Sequence, residues 1–132
     1  MKVVALDYGS ARTGVAVSDP TGTIARPLAV VERATSEAGL ARIAELVRAQ
    51  GAERVVVGLP LTLRGQRGAQ AQETEAFVEA LRQVVEVPVE SYDERFTTSL
   101  AASTGSDEAP EDARAAAHLL SSYLEWSSAA RG

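Results

Sequence analysis

The segment 54–59, Arg-Val-Val-Val-Gly-Leu, constrains the fold more than any other stretch of the chain. After Arg54 it is continuously apolar instead of alternating, rich in β-branched residues and closed off by Pro60, the pattern of a strand covered on both faces. Such a strand belongs at the centre of a sheet with helices on either side. The flanking segments supply the helices. Leu40, Ile43, Ala44, Leu46 and Val47 fall at helical spacing, with Ser36 placed to cap the start and Gly51 to follow the end. Phe77, Val78, Leu81 and Val84 mark a second helix, a short one is expected from Phe96 to Ala102, and a last one from about Pro110 to Trp126. Between them, 87–92 is a strand, which Pro88 marks as an edge because proline lacks the ladder donor.

Three short β-like segments, 2–6, 14–18 and 28–32, precede all of these and are separated by the turn-rich stretches 9–12 and 19–22. They predict an antiparallel meander. A strand-helix-strand unit needs a crossover into a parallel neighbour, so the later elements add two parallel strands. The expected fold class is α/β: a mixed five-stranded sheet, three strands in a meander plus two parallel ones, flanked by helices.

With 132 residues the chain fits one domain, 1–132, able to bury a core without disulfides or zinc. The absence of cysteine excludes thiolate metal sites and makes the cytoplasm the natural setting. The apolar opening stretch ends at Asp7, too short for a signal h-region or a bilayer span, so neither export nor a membrane partner is expected. Against 13 Lys and Arg stand 18 Asp and Glu, a formal net charge of -5. A passive nucleic-acid binder should carry a basic footprint instead. A metal-dependent nuclease is the exception, since clustered carboxylates recruit the cations that contact phosphate.

The acids themselves favour that exception. Asp7 ends the first strand, where side chains of open α/β sheets project toward a ligand crevice. Asp93 and Glu94 end the fifth strand and reach the same sheet end if the two strands are parallel. Strand alternation puts Asp93 on the face of Val87 and Val89, and Glu94 on that of Glu90 and Tyr92, without deciding which points inward. Asp112 opens the last helix on one stripe with Ala116, Leu119 and Tyr123. Oxygen ligands from separate elements suit Mg²⁺ or Mn²⁺. Their mutual repulsion is unfavourable without a cation. The lone histidine, His118, lies off the Asp112 stripe; Tyr8 and Trp126 are expected to pack.

Four blocks, 6–19 (Leu-Asp-Tyr-Gly-Ser-Ala-Arg-Thr-Gly-Val-Ala-Val-Ser-Asp), 56–61 (Val-Val-Gly-Leu-Pro-Leu), 93–98 (Asp-Glu-Arg-Phe-Thr-Thr), and Asp112 with Ala115-Ala116 and 119–124 (Leu-Leu-Ser-Ser-Tyr-Leu), resemble the YqgF, or RuvX, family. That family is described as Holliday-junction-resolvase-like and as nucleases for the 5′ end of pre-16S ribosomal RNA. The resemblance implies a ribonuclease H-like fold, with Asp7, Glu94 and Asp112 as catalytic acids and Asp7, Asp93, Glu94 and Asp112 as the candidate ligands of Mg²⁺ or Mn²⁺. Glu94 is the preferred middle ligand. Arg12 and Arg95 match basic positions, and Arg64 and Arg67 in the loop after Leu61 stand where relatives often carry an Asn and an acid; all four are expected on substrate phosphates. The stretch 103–111 is shorter and more acidic than the basic segment common in the family. The implied partners are pre-rRNA, branched DNA as the alternative, and a second copy of the chain in a homodimer. A sugar-kinase-like ATPase is the poorer reading, because the chain lacks room for a second lobe. A non-catalytic ribosome-assembly module is the other rival.

Overall fold

A computed structural model describes residues 1–60, 68–94 and 109–131, with side chains up to residue 127. Strands β1 (Val3–Asp7), β2 (Arg12–Ser18) and β3 (Ala25–Glu32) are followed by α1 (Glu37–Gln50), β4 (Arg54–Leu59), α2 (Ala69–Arg82), β5 (Val89–Asp93) and α3 (Glu111–Arg131). The five strands form one sheet in the order β3-β2-β1-β4-β5. β1–β2 and β2–β3 are antiparallel, whereas β1–β4 and β4–β5 are parallel. The C-terminal ends of β1, β4 and β5 therefore lie together, beside the start of β2.

The continuously apolar segment is interior as expected, with Val55, Val56 and Val57 fully buried. The middle of the sheet is nevertheless β1, because the meander adds two strands on its far side. β5 is an edge, and it begins at Val89, two residues later than the apolar run: Pro88 joins the sheet only through its carbonyl, which accepts from Val55 N at 2.9 Å. β3 starts earlier than expected, at Ala25. Pro27 is accommodated because β3 is the opposite edge and the ladder shifts register between Val15 and Ala16.

The two faces of the sheet are packed differently. Beneath α1 and α2 lie bulky residues, among them Val4, Leu6, Val15, Ile43, Val57, Phe77 and Leu81. Beneath α3 alanines are set among larger side chains: Ala5, Ala16 and Ala25 from the sheet and Ala116 and Ala117 from the helix lie with Val3, Val56, Tyr92, Leu119, Leu120, Tyr123 and Leu124. Small residues on both surfaces let the helix backbone approach the strands. At the far end, Arg54 Nη1 donates to Tyr123 OH at 3.0 Å and to Glu90 at 3.3 Å, and the Tyr123 hydroxyl donates to Glu90. That network ties α3 to β4 and β5.

Local signals set the helix ends. Ser36 Oγ accepts from Gly39 N at 3.0 Å, and Gly51 takes the left-handed conformation with φ 64°. Ser36→Ala should lower stability by about 1 kcal/mol through the lost cap, read as a shift in the urea midpoint at unchanged m-value. A midpoint equal to that of wild type would show that the cap contributes nothing here. α2 ends before the sequence signal does: Gln83 caps it, and Val84 lies beyond it, exposed, while Val85 turns to the core. The short helix expected from Phe96 to Ala102 lies outside the described residues. Among the described residues, no helix is long and apolar enough to cross a membrane.

Candidate active site

Asp7 is the last residue of β1, and its neighbours in the sheet explain the space around it. Across the β1–β2 ladder it faces Gly14. On the other side, Leu6 pairs with Val57, so the next residue of β4, Gly58, stands beside Asp7. Neither glycine has room for a side chain. A Cβ on Gly14 would come within 1.8 Å of the Asp112 carbonyl oxygen, and a Cβ on Gly58 within 2.6 Å of a Glu94 carboxylate oxygen and 2.9 Å of Leu119. One glycine thus seats the backbone of α3 on the sheet, and the other seats the Glu94 side chain. Both acids are brought to Asp7 from its two sides.

Alternation along β5 resolves the pair at its end. Val89 belongs to the core under α1 and α2, and Tyr92 to the core under α3. Asp93 follows the parity of Val89; Glu94, in contact distance of Gly58 and Leu119, is on the α3 face with Asp7. Asp7 and Glu94 share a hydrogen bond. Burial is the main cause that pushes the Glu94 carboxyl up to about 7; the Asp7 charge, the hydrogen bond to Asp7 and the Asp93 charge add to it. Asp7 is also raised, by burial first and then by the Asp112 charge, while the hydrogen bond from Glu94 works the other way. The geometry is that of two carboxylates holding one proton between them.

Asp112 is arranged differently. Its stripe partners Ala116, Leu119 and Tyr123 are buried on the side of α3 that meets the sheet, as the helical spacing predicts. Its carboxylate, 40% exposed, forms an ion pair with Arg12, Oδ2 to Nε 3.3 Å. Among the described residues no three His, Cys, Asp or Glu side chains stand as a group that could hold a metal ion. The third carboxylate, Asp112, is paired with Arg12 instead.

Tyr8 is packed. Its ring stacks on Phe77 at 4.7 Å and its hydroxyl donates to Glu73 at 2.7 Å, so burial and Glu73 push it up to about 12. This tie between β1 and α2 has no sequence signal. Trp126 also packs, against Tyr92 and Tyr123, although 52% of it remains exposed. Arg64, Arg67 and Arg95 lie outside the described residues. Gly14 and Gly58 went unrecognised as site residues in the sequence. The available signal was a glycine inside a strand, which marks the close approach of another backbone or side chain.

A meander continued by two parallel strands, with helices on both faces, is the ribonuclease H-like arrangement. Two Thermus thermophilus RuvC structures share it: one in complex with a Holliday junction substrate superposes with a TM-score of 0.68 over 97% of this chain and 95% of that one at 18% identity, and another with a TM-score of 0.61. Within that class, the chain belongs to the RuvX family, whose model, described as Holliday junction resolvase, matches residues 1–126. A Chloroflexus aurantiacus relative named "Putative pre-16S rRNA nuclease" is 40% identical over 131 residues, covering 93% of this chain and 86% of its own. One of the same name from Anaeromyxobacter is 42% identical over 133 residues, covering 95% and 97%.

Proposed function

We propose that this chain is a cytoplasmic nuclease that hydrolyses nucleic-acid phosphodiesters with Mg²⁺ or Mn²⁺, and that its substrate is the 5′ end of precursor 16S ribosomal RNA. The observation that carries the chemistry is the Asp7–Glu94 couple: two half-buried carboxyls at the ends of β1 and β5 that share a hydrogen bond and are both raised by burial, an arrangement that a cation would relieve. The name shared by its relatives supports the substrate.

The donor set fits a hard cation, because every candidate ligand is a carboxylate oxygen. Asp7 and Glu94 would hold it, joined by Asp112 once that side chain leaves Arg12. Asp93, on the opposite face of β5, acts through its charge on Glu94. When bound, a divalent cation supplies a lowered pKa for the attacking water and charge for the leaving oxygen. Glu94 would hold such an ion as a carboxylate, having given up its proton. Arg12 offers a guanidinium to the phosphate oxygens. Leu119, buried on the same face of the sheet and close to Gly58, helps to keep the Glu94 side chain out of water.

Cleavage of precursor 16S RNA, single-stranded RNA and a four-way DNA junction in Mg²⁺, Mn²⁺ or EDTA tests this reading, with the mass of the active species measured alongside. RNA cut at the 5′ end of the 16S sequence, and only with metal, is expected. Preference for the four-way junction by a homodimer would move the assignment to branched DNA, since a resolvase needs two sites. No cleavage of any substrate would leave a binding module.

The same carboxylates make stability depend on pH. Glu94 rises from an ordinary 4.5 to about 7 in the folded protein. The folded chain therefore holds a proton that the unfolded chain has lost, and stability in EDTA should fall as pH rises from about 4.5 to about 7, then level off. Added Mg²⁺ takes the place of the proton, so its stabilising effect should be small at pH 5 and grow through pH 7. Melting temperatures across that range, with EDTA and with Mg²⁺, would show two diverging curves; parallel curves would mean that the couple does not bind the ion.

A further inference from the structure

The ion pair between Arg12 and Asp112 joins a residue offered to substrate phosphate with one offered to the metal. Each can serve its role only by leaving the other. Arg12 stands at the start of β2, two residues before Gly14, on which the backbone of Asp112 rests, and the Asp112 side chain is close enough to Asp7 for its charge to be felt there. Rotation of these exposed side chains would separate the two partners without movement of α3. The pair is lightly held: the side chains are 66% and 40% exposed and joined by one contact at 3.3 Å. Pairs of this exposure are worth about 0.2–1 kcal/mol.

We propose that Arg12 is a placeholder cation: it holds Asp112 while the site lacks its metal, and is released to a nucleic-acid phosphate when a divalent ion draws Asp112 toward Asp7 and Glu94. Metal and nucleic acid then bind cooperatively, because each removes one partner from the same ion pair. In the metal-free protein, Arg12 is neutralised and the acids repel the backbone of RNA or DNA, so the site rejects substrate until it is loaded. The inference rests on the proposed nuclease reading for the identity of the two ligands. The exchange itself is a property of two side chains.

A double-mutant cycle without turnover tests it. The affinity of a labelled single-stranded RNA would be measured by anisotropy in EDTA for wild type, Arg12→Gln, Asp112→Asn and the double variant, each checked by its circular dichroism melt. Asp112→Asn removes a negative charge and so tightens binding in any background. If it also frees Arg12, the gain should be larger with Arg12 present than in the Arg12→Gln background, by about 1.5- to 5-fold, the ion pair's strength expressed as a ratio. Equal gains in both backgrounds overturn the proposal.

Calorimetric titration of Mn²⁺ supplies the second arm. Arg12→Gln should bind Mn²⁺ more tightly than wild type, because Asp112 is no longer held elsewhere; unchanged or weaker binding overturns the exchange while the metal reading stands. Wild type and Asp7→Asn that both fail to bind Mn²⁺ remove the metal reading and the placeholder with it.

Discussion

Asp7→Asn is expected to lower the cleavage rate by at least about 10³-fold, the several kcal/mol that a positioned cation contributes to the transition state, while leaving the fold no less stable than wild type. Asp7 is flanked by Glu94 and Asp112, and its own pKa is raised by burial, so ionising it in the folded chain is unfavourable. Asparagine keeps the size and a hydrogen bond to Glu94 but removes the charge that both neighbours resist. The metal-free variant should therefore melt at or above the wild-type temperature near pH 8, where the couple is ionised. Single-turnover cleavage and thermal melts on the same preparations check both halves. A variant that retains activity within tenfold of wild type would remove Asp7 from the catalytic machinery; one that is inactive because it is unfolded would show only a structural role.

Gly14→Ala is expected to be nearly as damaging to activity by a different route. The added Cβ would meet the Asp112 carbonyl oxygen at 1.8 Å and the Ala113 nitrogen at 3.0 Å. Both are helix backbone, so no rotamer change relieves the contact, and the N-terminal turn of α3 must lift from the sheet. Overpacking of this kind costs about 1–3 kcal/mol, and it carries Asp112 away from Asp7. Denaturant melts should show the destabilisation. Titration of Mn²⁺ should show weakened binding with Asp7 and Glu94 themselves unchanged. Full activity in Gly14→Ala would mean that Asp112 need not sit where the structure places it.

Much of the fold could be read from local patterns because local patterns caused it. Ser36 and Gly51 bracket α1 by satisfying the helix's own end groups, and the unbroken apolar run of β4 follows from helices on both faces. The sequence misjudged the elements whose limits depend on partners. β3 extends back past Pro27 because the β2–β3 ladder shifts register at Leu28, and α2 stops at Arg82 although Val84 continues the helical spacing. The candidate acids could be picked out by their positions at element ends. The choice of Glu94 over Asp93 was not settled by alternation alone, because it required knowing which face α3 covers. The pairing of Arg12 with Asp112, and the fit of Asp112 over Gly14, join residues about a hundred positions apart and leave no periodic trace.

The unequal packing of the two sheet faces has a genetic consequence. Under α1 and α2, large side chains such as Phe77 and Ile43 fill the space, and truncating one leaves a cavity whose cost falls on stability. Under α3 the five alanines that bring helix and sheet together have almost nothing to truncate, and enlargement is what disturbs them. A bulkier residue at Ala16 or Ala116 lifts the same helix that carries Asp112. Random mutagenesis should therefore yield two separable classes of defective allele: temperature-sensitive ones from the bulky face, restored at low temperature, and folded but inactive ones from the alanine face, which cooling does not restore.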